Sequence, residues 1–306
     1  MTYVQAQGKD GRPAAGPATV TGPNCFGAAA RDPSRDCSHR AHQFEVVPTP
    51  NAARNRPNAP CTIIEEDGPL RVCQFGVPAA AATGTVALLG DSHAAHWRAA
   101  LEVVAQAKRW RGLSIALSGC PFSTATRVLQ EPLLSNCIER NREVPGWFAR
   151  HPEVHTVFVS ELSGAKWLVT PGTDMFEDEV KDYIDAWNSL PATVQHLVVI
   201  RDDPKGLPGT QRCVERALRR HAAAGLICKV PRAAALDRDA AVIAAQRVGA
   251  PRVQVVDLTR FFCNSRWCYP VIGGALVHKD EHHMTTTFVA TLGPYLLQAV
   301  NRLTDG

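Results

Sequence analysis

The four residues Gly90–His93, with the sequence Gly-Asp-Ser-His, stand where an apolar run, Thr85–Leu89, gives way to an amphipathic run, Ala94–Leu101. This change predicts a buried strand that ends in a tight turn and opens a helix. The Ser92 hydroxyl would then lie at the carboxyl edge of a sheet, where open α/β sheets hold their functional groups. A serine placed there can act as a nucleophile when a base lies nearby in space.

A base and an acid occur together near the other end of the chain, in the sequence Asp280-Glu281-His282-His283. An imidazole suits the task because its unperturbed pKa, about 6.5, lies near neutrality. Asp280 precedes His283 by three residues, so its carboxylate can orient the ring through the second nitrogen. His282 competes for the role of base, but the spacing favours His283. The two segments predict a Ser-His-Asp hydrolase or acyltransferase.

Two other interpretations use the same residues. Ser92 also fits a helix cap, since serine is common at that position; the presence of Asp280 and His283 favours the nucleophile. His278, His282 and His283 with Asp280 also suggest a zinc site. These residues crowd one short segment, and no further ligand is evident, so we expect neither a metal nor an organic cofactor.

Length and charge limit the class of protein. The chain has 306 residues, 45% of them apolar, and a chain of this size can bury about three quarters of its unfolded surface. The net charge of +4 is scattered, with no block of like charges. Nucleic-acid binding is therefore not indicated.

Ten cysteines fall in five pairs that are close in sequence, and no pair has the Cys-x-x-Cys spacing of zinc or redox sites. We expect five local disulfides formed in an oxidising compartment. Nearest-neighbour pairing, which is an assumption, gives Cys25–Cys37, Cys61–Cys73, Cys120–Cys137, Cys213–Cys228 and Cys263–Cys268. Met1–Gln7 resembles neither a signal peptide nor a membrane span. The chain is therefore expected to be a domain of a longer exported or membrane-bound protein.

The pattern of the chain changes near residue 79. Within residues 1–78, Gly8–Pro17 resembles a linker, and the stretch Cys25–Cys73 has turn-forming composition. We expect residues 1–78 to be a linker and an irregular, disulfide-pinned extension, and residues 79–306 to be the catalytic domain.

Strand-like and helix-like runs alternate from Thr85 onward. The predicted strands are Thr85–Leu89, Leu113–Leu117, His155–Val159, His196–Ile200 and Arg252–Leu258. The predicted helices are Ala94–Trp110, Cys137–Arg150, Glu177–Ser189, Thr210–Ala224, Asp237–Val248 and Thr286–Leu303. Such alternation predicts a three-layer α/β/α sandwich with a mostly parallel sheet of about five strands.

These residues also resemble a known family. Gly90–His93 is similar to the first block of SGNH hydrolases, and Lys279–Thr285 is similar to the last. More specifically, the chain from about Gly84 onward resembles the extracytoplasmic SGNH domain that is fused to bacterial acyltransferase-3 membrane proteins. The run Ser118–Pro121, the Asp203-Pro204 turn and the short loop between Cys263 and Cys268 add to the resemblance.

The resemblance implies a flavodoxin-like fold and a set of site residues. Carried over by position, Ser92 is the nucleophile, His283 the base and Asp280 its orienting carboxylate. The backbone amides of Ser92 and Gly119 would form the oxyanion hole. The third block of the family normally contributes an Asn, but residues 160–163 here read Ser-Glu-Leu-Ser. Loss of one such donor lowers the rate by a factor of about 10²–10³.

The resemblance implies an extracytoplasmic carbohydrate O-acyltransferase, tethered to the plasma membrane. The acyl group, expected to be acetyl, would come from an N-terminal transmembrane acyltransferase domain of the same polypeptide and pass through Ser92 to a cell-surface glycan. His93, Asp203 and Trp167 are predicted to contact the substrate. Two alternatives stay open: a secreted esterase acting on carbohydrate or lipid, and a glycan-binding module without activity.

Overall fold

The computed structural model of the chain describes residues 25–37, 42–168, 172 and 174–304. The predicted linker, Gly8–Pro17, lies outside the described residues. Within the described part, no helix combines the length and the apolar character that a membrane span requires.

Eleven strands are found among the described residues. In chain order they are β1 (Thr62–Asp67), β2 (Leu70–Gly76), β3 (Gly84–Gly90), β4 (Trp110–Ala116), β5 (Val154–Ser160), β6 (His196–Ile200), β7 (Val230–Pro231), β8 (Val253–Val256), β9 (Trp267–Cys268), β10 (Val271–Ile272) and β11 (Ala275–Leu276). Seven of them form one sheet in the order β1-β2-β4-β3-β5-β6-β8, and the others pair as β7-β9 and β10-β11.

The same residues form nine α-helices and three short 3-10 helices. The α-helices are α1 (Pro50–Ala53), α2 (Ser92–Lys108), α3 (Leu133–Arg150), α4 (Met175–Asn188), α5 (Thr210–Arg219), α6 (Ala224–Ile227), α7 (Arg232–Ala235), α8 (Ala240–Val248) and α9 (Thr286–Thr304). The 3-10 helices are Gly27–Arg31, Ala79–Ala81 and Thr259–Phe261.

The five strands β4, β3, β5, β6 and β8 run parallel, which confirms the predicted α/β/α fold. Strand β3 shows why helices cover both faces. Its alternate side chains point to opposite sides of the sheet: Leu88 enters the core formed with α2 and α9, whereas Leu89 enters the core formed with α3, α4 and α8. A strand buried on both faces reads as a continuous apolar run, and this is why Thr85–Leu89 was recognisable.

The sheet differs from the prediction at its N-terminal side. Strands β1 and β2 form an antiparallel hairpin, and β2 pairs antiparallel with β4. Thr62–Asp67 and Leu70–Gly76 are therefore strands of the main sheet, whereas the sequence predicts an irregular extension there. A signal was present in Gly68-Pro69, the two residues between the paired Asp67 and Leu70, because a Gly-Pro dipeptide is typical of a turn. Gly68 has a φ of +54°.

The segment Cys25–Cys37 packs on α9, as an extension closed by a disulfide was expected to do. The backbone N–H of Ala28 donates to Thr291 Oγ1 at 2.9 Å, and the Tyr295 hydroxyl donates to Asp32 Oδ2 at 2.9 Å. The ten cysteines form five disulfides, in the same pairs that nearest-neighbour pairing assumes.

Candidate active site

The turn between β3 and α2 places Ser92 at the carboxyl edge of the sheet. Gly90 is needed there because a Cβ atom at this residue would lie 2.2 Å from the carbonyl oxygen of Ser160. Asp91 caps α2 by accepting a hydrogen bond from the N–H of His93 at 2.7 Å. Asp91, and not Ser92, therefore serves as the cap, and this leaves the Ser92 hydroxyl available for chemistry.

The structure brings Ser92, His283 and Asp280 together. Ser92 Oγ lies 2.9 Å from His283 Nε2, and His283 Nδ1 lies 2.8 Å from Asp280 Oδ2. A carboxylate only accepts, so Asp280 places the ring proton on Nδ1 and leaves Nε2 to accept the Ser92 proton. The three groups form a continuous hydrogen-bonded chain of the kind that activates a serine.

Asp280 is held as a charged carboxylate. Its other oxygen accepts from the N–H groups of His282 at 3.0 Å and His283 at 2.7 Å. Partial burial raises the pKa of Asp280, but the hydrogen bonds from the side chain and backbone of His283 outweigh this and lower the pKa below its ordinary range. The carboxylate is therefore ionised at any pH at which His283 acts as a base.

Hydrogen bonds hold the loop that carries Asp280 and His283 at both of its ends. His278 donates from Nε2 to Asp203 Oδ2 at 2.7 Å, and the N–H of Met284 approaches His96 Nδ1 at 3.4 Å. Gln211 of α5 donates to the carbonyl oxygen of His278 at 2.7 Å. Two segments separated by nearly 190 residues are thus joined through side chains buried behind Ser92.

Gly119, the predicted second amide of the oxyanion hole, lies in a turn after β4 in which the N–H of Cys120 donates to the carbonyl oxygen of Leu117 at 3.0 Å. Its φ of +72° favours glycine. The neighbouring Leu117 donates its N–H to the carbonyl oxygen of Gly90 at 3.1 Å, so this turn starts beside the Ser92 turn. An oxyanion role for the amides of Ser92 and Gly119 stays a prediction.

The loop after β5 occupies the place of the missing Asn, and the donors of Leu162 and Ser163 are already used. Leu162 donates its N–H to Asp91 Oδ2 at 3.2 Å. Ser163 donates from both N and Oγ to Asp202 Oδ2, at 2.7 and 2.8 Å. These groups stabilise the loop rather than point to a substrate.

His93 and Asp203 do not lie on the surface, and this corrects the expectation that they contact a sugar directly. The side chains are 1% and 0% exposed. His93 Nδ1 lies 2.6 Å from Asp202 Oδ1 and 3.6 Å from Asp203 Oδ1. The sequence places them near the site because His93 follows the nucleophile and Asp203 follows a strand, but both side chains are buried in the interior.

The buried group around His93 carries compensating charges. Burial alone would lower the pKa of His93, but the negative charges of Asp202 and Asp203 raise it well above its ordinary value. Burial would raise the pKa of Asp203, yet the charge that His96 gains only at low pH and the hydrogen bond from His278 lower it well below its ordinary value. We infer an imidazolium at His93 held between two carboxylates.

His282, which competes with His283 for the role of base in the sequence, is part of the same arrangement. Its Nδ1 lies 3.0 Å from His93 Nε2, and its ring lies 4.2 Å from the ring of His283. The nitrogen atoms of His93, His282 and His283 lie within 4.8 Å of one another, close enough to share an ion. Each already faces a hydrogen-bond partner, however, so we assign them to a hydrogen-bonding network.

Trp167, the third predicted substrate contact, is half-buried in a second region of the same sheet edge. Its segment pairs with the loop after β4, where Leu168 donates its N–H to the carbonyl oxygen of Thr126 at 2.8 Å. The Arg127 guanidinium lies 5.3 Å from the centre of the indole ring. A cavity lined by Thr124, Trp167 and residues of α4 adjoins it, and a sugar-binding role for Trp167 stays a prediction.

Behind the turn, Arg140 of α3 is 1% exposed. Its guanidinium donates to the carbonyl oxygens of Gly90 and Cys120. Burial lowers the pKa of Arg140 to about 10, and the charges of Glu161 and Asp91 oppose this. Arg140 therefore stays charged at neutral pH and supports the two turns that carry Ser92 and Gly119.

Acid should destabilise the fold through His96. Burial lowers the pKa of His96 from 6.5 to about 4. As pH falls below 6.5 the unfolded chain binds this proton first, so the stability contributed by a neutral His96 is full above pH 6.5 and is lost toward pH 4. Urea unfolding from pH 7 to pH 4 should show a flatter pH dependence in His96→Gln, by up to about 1.4 kcal/mol per pH unit.

A matched variant of the exposed His196, His196→Gln, should keep the pH dependence of the parent. His93, whose raised pKa stabilises the fold at low pH instead, is retained in both variants. Equal slopes in His96→Gln and the parent would contradict the expectation that His96 is neutral in the fold.

The sequence matches a family model described as the SGNH domain fused to AT3 domains, over residues 58–298. The chain belongs to this family. The match to the SGNH domain begins just before β1, so it includes the hairpin as well as the parallel strands. A comparison with curated proteins finds no match.

Two solved structures resemble this SGNH domain. The periplasmic domain of a lipopolysaccharide acetyltransferase from Salmonella ser. Paratyphi A is 12% identical, at a TM-score of 0.53, over 74% of this chain and 90% of that one. At this identity the similarity shows a common fold. A carbohydrate esterase family 2 enzyme with a carbohydrate-binding domain, from Corynascus thermopiles (Myceliophthora fergusii), is 14% identical at a TM-score of 0.41, over 75% and 69%.

Proposed function

We propose that this chain is the extracytoplasmic part of a carbohydrate O-acyltransferase, and that Ser92 carries the acyl group to a hydroxyl of a cell-surface glycan. The observation that supports this most directly is the chain of 2.9 Å and 2.8 Å contacts from Ser92 through His283 to Asp280. Acyl transfer requires at least a serine hydroxyl that is not used as a helix cap and an oriented imidazole that can take its proton.

The proposed reaction has two halves that use the same base. In the first, His283 Nε2 takes the proton of Ser92 as Oγ attacks the acyl carbonyl carbon, and the proton then passes to the departing group of the donor. In the second, His283 takes the proton of a sugar hydroxyl, whose oxygen attacks the same carbon. Ser92 Oγ leaves with that proton, and the free enzyme is restored.

Membership of this family supports two parts of the proposal, namely the source of the acyl group and the side of the membrane on which the domain lies. An SGNH domain fused to an AT3 domain has a membrane acyltransferase partner in the same polypeptide, and we propose that this partner supplies the acyl group. Five disulfides are typical of a compartment outside the cytoplasm. We propose that the domain lies on that side, tethered to the plasma membrane.

The test begins with ester turnover by this chain, measured with 4-nitrophenyl acetate, and with labelling by a fluorophosphonate. Ser92→Ala should abolish labelling and lower kcat by about 10⁶-fold, because the covalent intermediate cannot form. Ser265→Ala, which changes an exposed serine, should behave as the parent. Labelling that survives in Ser92→Ala would reject Ser92 as the nucleophile.

The acceptor is tested in cells that carry the full-length protein. Mass spectrometry of surface glycans should show that acyl groups are lost with Ser92→Ala and retained with Ser265→Ala. Acyl groups that increase in Ser92→Ala would instead indicate an esterase, in which water takes the place of the sugar. Folded parent protein with neither turnover nor labelling would favour a glycan-binding module.

A further inference from the structure

His282 stands beside the base and is held from behind. Its ring lies 4.2 Å from that of His283, and its Nδ1 lies 3.0 Å from His93 Nε2. The ring is half-buried, and the structure shows no protein partner for its Nε2 among the described residues. Nδ1 of His282 thus faces His93 in the interior, while Nε2 is available to bind a ligand.

The direction of the hydrogen bonds follows from the group behind His93. Asp202 Oδ1 lies 2.6 Å from His93 Nδ1, and a carboxylate only accepts, so Nδ1 carries a proton. Asp203 Oδ1 lies 3.6 Å from the same nitrogen, and two adjacent carboxylates favour the fully protonated ring. His93 Nε2 then also carries a proton and donates it to His282 Nδ1. The single proton of a neutral His282 must therefore lie on Nε2.

Several short hydrogen bonds hold the two carboxylates that support His93. Asp202 also accepts from N and Oγ of Ser163 and from the N–H of Asp203, at 2.7 to 3.0 Å. Asp203 accepts from His278 at 2.7 Å and lies 3.2 Å from His96 Nε2. A ring held by such a network keeps one orientation and one tautomer, as a preorganised donor must.

The loop after β5 supplies no Asn donor, and two of its backbone N–H groups are bonded elsewhere. Residues 160–163 lack the Asn of the family pattern, and the N–H groups of Leu162 and Ser163 are bonded to Asp91 and Asp202. We propose that His282 Nε2–H is a catalytic donor that binds an oxygen of the ester substrate at Ser92, and that His93 and Asp202 are positioning residues which fix its tautomer. This inference rests on the proposed function.

Turnover of 4-nitrophenyl acetate by His282→Phe and His282→Gln tests the donor. Phenylalanine keeps a flat ring without an N–H, and we expect kcat to fall by about 10²-fold. Glutamine keeps an N–H donor and should recover part of that loss in kcat. If the ring of His282 served only in packing, glutamine would not restore kcat. Glu281→Gln, which changes the exposed neighbour, is the matched control. Unchanged kcat in His282→Phe, or equal kcat in both variants, would overturn the proposal.

The positioning role is tested with His93→Gln, alone and combined with His282→Phe. If His93 acts through His282, the double variant should lose no more activity than His282→Phe, because residues that act as a unit are not additive. Additive losses would overturn the positioning role.

Because His93 is buried and its replacement disturbs the core, the tautomer is also measured directly in the parent protein. Nitrogen NMR of histidine-labelled chain should show His282 protonated on Nε2, with the signal assigned by its absence in His282→Phe. Protonation on Nδ1 would overturn the proposal. Parent protein without Ser92-dependent turnover would contradict the proposed function instead, and the tautomer would then decide this inference by itself.

Discussion

Replacing His283 with alanine should lower kcat for ester turnover by about 10⁶-fold, as much as removing the nucleophile. Ser92 Oγ would lose the nitrogen that accepts its proton at 2.9 Å, and a serine hydroxyl is a poor nucleophile on its own. Steady-state turnover of 4-nitrophenyl acetate measures the loss, with circular dichroism to check that the variant folds.

A variant of a remote histidine serves as the control for His283→Ala. His155→Ala, which changes an exposed histidine on β5, should retain the kcat of the parent. A His283→Ala variant that keeps more than about 10⁻² of the parent kcat would show that another group takes the proton, because loss of a triad base costs far more than this. His282 would then be the group to examine.

Replacing Arg140 with alanine should lower the free energy of unfolding by about 3–5 kcal/mol, since removal of one partner leaves buried charge uncompensated. Arg140 is 1% exposed and donates to the carbonyl oxygens of Gly90 and Cys120. Without it, Asp91 and Glu161 lose the positive charge that faces them. Urea denaturation measures the loss.

Two companion variants identify the cause of this destabilisation. Arg142→Ala removes an exposed arginine from the same helix and should change the free energy of unfolding by no more than about 0.5 kcal/mol. Glu161→Gln in the Arg140→Ala background should restore part of the stability, because burial already raises the pKa of Glu161 and favours an uncharged side chain there. If Arg142→Ala is equally destabilising, the effect does not come from buried charge.

Much of the fold could be predicted because its signals are local. The strand of residues 196–200 is found with the predicted bounds, and the central helix begins two residues earlier than predicted, at Ser92. A strand buried on both faces is a continuous apolar run, and an amphipathic helix repeats every 3.6 residues. The hairpin of residues 62–76 escaped because its first strand, Thr62–Asp67, is mostly exposed and lacks an apolar face.

The site was predictable only in part. Ser92 was predictable because it lies at the turn between a strand and a helix. Asp280 and His283 were predictable because they are three residues apart, which allows a direct hydrogen bond between their side chains. His93 and Asp203 were expected to contact substrate, because nothing in their sequence surroundings reveals that they are buried. Arg140 and Glu161 carry no motif, since their roles depend on two turns that are far apart in the chain.

The order of polar and apolar residues by itself determined the parallel strands and the helices between them, because both depend on contacts between near neighbours. It also determined which side chains stand at the strand ends. Only the tertiary structure decided that His282 lies over His93, and which acids are buried. Those outcomes depend on burial and on distances across about 190 residues, where a few tenths of an ångström change a hydrogen-bond partner.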